Sequence, residues 1–346
     1  MPQNFNRRII RGNFTMTLDQ KYMDLFRPKV HWGKIEIDAD KCIGCGLCVQ
    51  NCPGKVPTLN DAGKAYVSRP ECFSCSNCSV ACPTDAITIR ETFYVEEGFH
   101  KTTPADIPYK PPARPLDAEG KPTEYTPTEK AVLERRSVRN FKDQPVPESL
   151  IRRILEAGRL SPSTGNCQPW RFIVVTDKTL LDELAARIQP MAQMASMMYR
   201  ADEMLEALAA QYEMEPNPGL FDPRVQSGAQ AIGEGILPVF LNCPALIILL
   251  GDERAISGPE INIGICGQNM TLVANSLGLG ACWVGFVSLV NMMPDVMQRL
   301  GIEPPYKVVS SLAIGYPAFK QQGMVAREAK PVTWFRAGSD APEVEQ

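Results

Sequence analysis

One four-cysteine spacing occurs twice in this chain, as Cys42-x2-Cys45-x2-Cys48-x3-Cys52-Pro53 and as Cys72-x2-Cys75-x2-Cys78-x3-Cys82-Pro83. Nothing else in the sequence constrains the fold as tightly, because eight thiols in one short stretch must converge on something. A disulfide framework needs an oxidising compartment, and zinc sites pair two short spacings rather than placing four cysteines in a row. Four cysteines at this spacing, closed by Cys-Pro, are the arrangement that sets thiolates around cubane iron–sulfur clusters. Where two clusters share a module, the fourth cysteine of each run ligates the other cluster. The expected sets are therefore Cys42, Cys45, Cys48 and Cys82 for one [4Fe–4S] cluster, and Cys72, Cys75, Cys78 and Cys52 for the second. Such clusters move one electron at a time, so the rest of the chain must say where the electrons go.

The 346 residues allow two or three domains, and 44% hydrophobic residues suffice for a buried core. Net charge is −3, and Lys and Arg are scattered rather than blocked, which gives no electrostatic reason for a nucleic-acid partner. Near the start, Arg7-Arg8 suggests twin-arginine export, but no apolar region follows and Asp19, Lys21 and Asp24 interrupt what comes next. A cytoplasmic, anaerobic setting is expected, in keeping with reduced thiols and oxygen-sensitive clusters. Ile261 to Pro294 contains no charged residue, a length that invites a membrane span. Gln268, Asn269, Asn275, Ser276 and the Gly278-Leu279-Gly280 break would leave polar groups in lipid, so a buried helix, a glycine turn and a strand are expected instead.

Residues 1–33 read as a leader, with a short helical pattern around Leu18 to Phe26. Lys34 to Asp38 and Ala86 to Ile89 alternate as short strands on either side of the cysteine runs. The repeated strand, cluster loop and helix over 34–92 resembles a bacterial-type ferredoxin, a small βαβ-repeat module. Residues 93–128 are rich in proline and polar residues and read as an extended linker. From 129 to 346, helical patterns at 130–136, 150–160, 180–213 and 261–277 interleave with apolar strands at 171–175, 245–250, 282–287 and 308–315. The fold class expected is α+β, a central sheet flanked by helices. Five methionines (Met191, Met194, Met197, Met198, Met204) crowd the long helix and suit dimer packing or a lid.

Arg135-Arg136-Ser137-x-Arg139 sets three guanidiniums and a hydroxyl just past a helix, a combination that suits a terminal phosphate; a solvated basic helix end is the alternative. This segment through Phe141, the Ser161 to Phe172 stretch and Gly278 to Phe286 together resemble the FMN-dependent nitroreductase family. The resemblance implies that Arg135, Arg136, Ser137 and Arg139, with Pro162, Ser163, Thr164, Gly165, Asn166 and Gln168, hold FMN. It implies that backbone N–H groups of Trp283, Val284 and Gly285 face the flavin ring, and that Arg327 or Lys330 adds a cation at the phosphate. It further implies an intertwined homodimer with FMN in the interface, Pro162 to Gly165 serving the partner's flavin. Cys167, Cys243, Cys266 and Cys282 show no ligand spacing and read as packing residues. His31 and His100 fall outside the flavin region, so no histidine serves as its acid or base.

The expected function is an oxidoreductase that passes electrons from the clusters to FMN, with chemistry at flavin N5, and on to a nitroaromatic, quinone or activated enone. NAD(P)H or an external ferredoxin is the expected donor. Two rival readings are an electron-transfer subunit serving a partner protein, and a specialised reaction of the same fold such as reductive dehalogenation or flavin destruction.

Overall fold

The computed structural model describes residues 29–96, 101–102, 114–198, 203, 222, 224–321, 324–325, 327, 330–339 and 341–345. The helical pattern around Leu18 to Phe26, His100, Met204 and most of 199–223 lie outside them. So do 97–100 and 103–113 of the proline-rich stretch.

The cysteine-rich part is built on two antiparallel strand pairs. Strand β2 (Lys34–Ile37) pairs with β5 (Ile87–Glu91), and β3 (Pro57–Leu59) with β4 (Ala65–Val67). Ahead of them β1 (Val30–His31) pairs with β6 (Tyr94–Val95), where His31 stacks on Tyr94 and bonds Glu96 at 2.8 Å. Two one-turn helices, α1 (Leu47–Asn51) and α2 (Asn77–Ala81), follow the first two cysteines of each run and carry the third, Cys48 and Cys78. The halves repeat in backbone conformation as well as in sequence. Gly44 and Ser74, Gly46 and Ser76, and Lys55 and Asp85 all have positive φ, so equivalent loop positions of the two runs turn in the same left-handed conformation. Ile35, Val56, Ala65, Ala86 and Ile87 pack among the cysteines.

A four-stranded antiparallel sheet organises the larger part. Its order is β7 (Trp170–Val175), β8 (Ala245–Asp252), β10 (Tyr306–Gly315), β9 (Gly280–Trp283). Every residue of β8 from Ala245 to Leu250 is 0% exposed, and alternation sends them to two cores. Leu246, Ile248 and Leu250 face a cluster shared with α5 (Lys178–Met198), α6 (Val225–Gly233) and a 3-10 helix at Gly285–Met292. Ala245, Ile247 and Leu249 face α4 (Glu148–Arg159) and α7 (Pro259–Ser276). A strand covered on both faces reads as a continuous apolar run, and each fully buried Leu or Ile contributes on the order of 2 kcal/mol. Two shorter helices complete this part, α3 (Pro127–Glu134) and α8 (Pro294–Arg299).

The uncharged stretch folds as α7, a glycine turn and β9, and among the described residues no helix is long and apolar enough to cross a membrane. One expectation is corrected. The apolar run 282–287 is strand only to Trp283 and then turns into the 3-10 helix, because Val287 and Val290 are drawn into the α5 core. On α5, Met191 packs against that core, while Met194 and Met197 are each 53% exposed.

Candidate active site and metal centres

The fold sorts the eight cysteines into two cavities. One is lined by Cys42, Cys45, Cys48 and Cys82 with Ile37, Ala65 and Ile87; the other by Cys72, Cys75, Cys78 and Cys52 with Ile35, Val56 and Ile89. The fourth cysteine of each run thus lies with the first three of the other, the crossed grouping expected from the spacing. Among the described residues no three His, Cys, Asp or Glu close on a point as a single metal ion requires. Each cavity gathers four thiols, the ligand number that a four-iron core takes.

Backbone and amide donors point at the sulfurs. Ala65 N–H donates to Cys42 Sγ and Val56 N–H to Cys52 Sγ, both at 3.4 Å. Ser74 N–H reaches Cys72 Sγ at 3.4 Å, Ala86 N–H reaches Cys82 Sγ at 3.2 Å, and Asn77 Nδ2 reaches Cys75 Sγ at 3.3 Å. Donors of this kind stabilise negative sulfur and tune cluster potential. Without a cationic core the thiolates are costly. Burial pushes Cys48 up to about 11, with Cys45, Cys42 and Cys82 adding to it, and pushes Cys72 up to about 11, with Cys75 and Cys52 adding. Burial also raises Cys78 and Cys52, whereas the Ala65 and Gly44 N–H groups and the Lys64 ammonium lower Cys42. A cluster's irons supply the positive charge these thiols lack.

The second site lies at the edge of the sheet. Helix α3 opens with a capping box between Thr126 and Glu129 and stops at Glu134, two residues earlier than the sequence pattern suggests. The chain then runs extended beside β9: Ser137 bridges Ala281 in parallel, and Val138 N–H donates to Ala281 O at 3.0 Å. Gly280 permits this approach, since a Cβ there would stand 2.6 Å from Val138 Cβ. Three cations gather as a result. Burial lowers Arg135, with Arg327 repelling it; burial lowers Arg136, with Arg135 and Arg327 repelling it. The Nε atoms of both Arg135 and Arg136 are buried without a hydrogen-bond partner. Arg136 Nη1 donates to Leu133 O at 3.2 Å, but two unsatisfied Nε atoms among like charges suit an anion, and a phosphate accepts forked donors. Cys282 is buried beside them; burial raises its thiol, and Arg139, Ser137 and Arg135 pull the other way. Of the two C-terminal candidates, Arg327 is the one whose charge acts on this cluster, and both Arg327 and Lys330 are exposed.

The Pro162–Gln168 loop is a tight turn with Gly165, Asn166 and Gln168 at positive φ, held by Gln168 N–H to Ser163 Oγ at 2.9 Å and by Thr164 on Ser257. Pro162, Thr164, Gly165, Asn166 and Gln168 are exposed in the single chain. This loop does not meet the arginines. It precedes β7, whose first residue Trp170 pairs with Gly251, whereas the arginine segment lies on β9 where Gly280 pairs with Gly315. Those are opposite corners of the sheet, separated across its width by three strand spacings, roughly 14 Å.

Between them, Val284 N–H is already spent on Ser311 O at 2.9 Å, so it has no donor to offer a ligand. This corrects the expectation for Val284. Antiparallel alternation places the Trp283 N–H on the outer edge, alongside Ala281 O, where the arginine segment docks. Gly285 is exposed where the 3-10 helix begins. Sequence reasoning gave no role to Asn51, Asn140 or Gln321. They join the two parts of the chain, through Asn140 Nδ2 to Gln50 O at 3.1 Å and Gln321 Nε2 to Asn51 Oδ1 at 2.9 Å.

Comparison with known proteins gives two family matches. The nitroreductase family profile matches residues 132–316, and a 4Fe-4S dicluster domain profile matches residues 41–87. An NADH dehydrogenase from Thermus thermophilus is 31% identical over 192 residues, covering 54% of this chain and 85% of the relative. A chloronitrobenzene nitroreductase from Comamonas testosteroni is 29% identical over 227 residues, covering 59% of this chain and 94% of the relative. A crystal structure of a Bacteroides fragilis nitroreductase with bound FMN superposes with a TM-score of 0.42 at 22% identity, over 63% of this chain and 98% of that one.

Proposed function

The chain belongs to the nitroreductase family and is an oxidoreductase of that type carrying an iron–sulfur region, and from that premise we propose that it moves electrons from two [4Fe–4S] clusters through FMN to a small organic acceptor. The observation that carries the reading is the coexistence of two crossed cysteine cavities and a pocket of guanidiniums with unsatisfied Nε atoms in one chain. In this reading 34–92 is the cluster domain, 129–346 the flavin domain, 93–128 the linker between them and 1–33 a leader.

Arg135, Arg136 and Arg327 hold the FMN phosphate with Ser137, and Arg139 lies further along the ligand. The Trp283 N–H and the exposed Gly285 present backbone donors toward the ring. Because the Pro162–Gln168 loop sits at the far corner of the sheet, it serves the site of a second copy, and the working unit is a homodimer. FMN, when bound, takes electrons singly and gives them in pairs, which matches one-electron clusters to a two-electron acceptor. A nitroaromatic, quinone or activated enone stacked on the ring receives an electron pair, and with no histidine in the flavin domain its protons come from solvent or a nearby carboxyl, tyrosine, cysteine or lysine. The electrons come from a low-potential one-electron donor such as ferredoxin, or from NAD(P)H, in a cytoplasmic and anaerobic setting.

A second reading, an electron-transfer subunit serving a partner protein, is favoured by Ile43 (64% exposed) beside the exposed Cys45, with Leu59 (40%) and Tyr66 (45%) exposed on the β3–β4 hairpin. Reduction of bound FMN by reduced ferredoxin, followed anaerobically, tests the main reading. The intact protein should bleach its flavin and then turn over a quinone or nitroaromatic. Bleaching without turnover of any small acceptor would favour the second reading.

A further inference from the structure

We propose that the cluster held by Cys72, Cys75, Cys78 and Cys52 is the one that hands electrons to the flavin domain, and that Asn51 and Gln321 are positioning residues for that transfer. The proposal rests on the reading above, that clusters and FMN share the chain, and adds direction to it.

A continuous hydrogen-bond relay links the flavin domain to a thiol of this set. Gln321 Nε2 donates to Asn51 Oδ1 at 2.9 Å, Asn51 Nδ2 donates to Asn77 O at 2.8 Å, and Asn77 Nδ2 donates to Cys75 Sγ at 3.3 Å. Asn51 is 0% exposed, and a buried amide this fully engaged fixes the spacing of the groups on either side of it. A second route meets the helix between the two sets: the Gln50 carbonyl, two residues from Cys52 of this set and two from Cys48 of the other, accepts from Asn140 Nδ2 at 3.1 Å, and Asn140 follows Arg139 of the arginine segment. The Asn140 carbonyl accepts from Ala318 N–H at 3.0 Å, which ties the two routes together on the flavin side.

The loops of the same ligands press on α6 as well. A Cβ on Gly54, just past Cys52, would lie 3.2 Å from Ser227 Oγ, and Arg69, ahead of Cys72, pairs with Glu234 at 3.7 Å. The other set presents an exposed Cys45 and the 64% exposed Ile43 to solvent. Tunnelling rates fall exponentially with distance, so the cluster whose ligands form the junction is the one that delivers. Each passage carries one electron; two passages, with a proton from solvent at flavin N5, reduce one FMN. The donor to the clusters is a low-potential one-electron reductant, dithionite in the test.

The experiment compares anaerobically purified wild type with Asn51→Leu and Gln321→Leu, each assayed for iron, sulfide and FMN. Cluster potentials are read by EPR-monitored titration, and the two clusters are assigned by which signal Cys75→Ser or Cys45→Ser alters. Flavin bleaching after rapid reduction of the clusters is followed by stopped flow. Weakening a relay that ends on Cys75 leaves its sulfur more electron-rich, so both variants should lower the potential of the cluster that Cys75→Ser alters. Both should also slow bleaching several-fold at unchanged FMN content. Gln321→Leu lies outside the cluster fold and keeps the test valid should Asn51→Leu assemble poorly. A shift confined to the cluster that Cys45→Ser alters, or unchanged potentials and bleaching while the wild type transfers normally, overturns this assignment alone. A wild type whose reduced clusters never bleach its flavin overturns the proposed function and this assignment with it.

Discussion

Arg135 and Arg136 are held in a state that the folded chain alone does not satisfy, with buried Nε atoms unpartnered and like charges adjacent. Replacing Arg135 by Gln should therefore weaken FMN binding by about 1.5–3 kcal/mol, roughly ten- to a hundredfold in Kd, as measured by flavin fluorescence quenching. The same change should leave the melting temperature of the flavin-free protein unchanged or higher, since it removes repulsion. A plain solvated helix end would give no change in flavin affinity. Cysteine behaviour separates just as clearly. Burial pushes Cys243 and Cys266 up to about 12. A raised thiol pKa means less thiolate at any lower pH, so both should resist alkylation at about pH 8, with reactivity appearing only as pH climbs toward that value or the protein unfolds. Mass spectrometry after a timed iodoacetamide pulse reads this directly. The crossed grouping of the eight cysteines was legible from sequence because their spacing is local. Asn51 was not, because its role depends on Gln321, 270 residues away.

Among the elements, β9 carries the arginine segment on its outer edge, and Gly280 is where the two backbones touch. Gly280→Ala should displace Arg135 to Arg139 and release FMN while leaving iron content intact. Adding Val138→Gly removes the atoms that the new Cβ would strike and should restore part of the flavin; equal flavin content in wild type and Gly280→Ala would show that this contact is not what places the arginines. The strands of the sheet were readable as apolar runs, and β8 most easily, being covered on both faces. The 282–287 run misled because a short apolar stretch does not distinguish strand from 3-10 turn, and packing of Val287 and Val290 decided it. The spending of Val284 N–H on Ser311 was likewise invisible in sequence, since it follows from strand register.

Over the whole molecule, the sheet places the Pro162–Gln168 loop and the arginine segment at opposite corners; the cysteine-rich part meets Asn140, next to the arginine segment, through Gln50, meets Gln321 through Asn51, and meets α6 and Glu234 through Gly54 and Arg69. Sequence motifs picked out both the loop and the arginine segment, but the distance between them emerges only once the strands are ordered. A homodimer should then be the flavin-binding unit: sedimentation of the flavin-loaded protein should give twice the chain mass, and dilution that separates the copies should release FMN. The central claim is that clusters and flavin form one electron path. Its most direct measurement is stopped-flow bleaching of FMN in anaerobic protein mixed with reduced ferredoxin, comparing wild type with a Cys42→Ser/Cys72→Ser double variant. The account predicts about eight irons and one FMN per chain in the wild type, with fast bleaching that the double variant loses while keeping its flavin. Equal bleaching rates in the two proteins would contradict it.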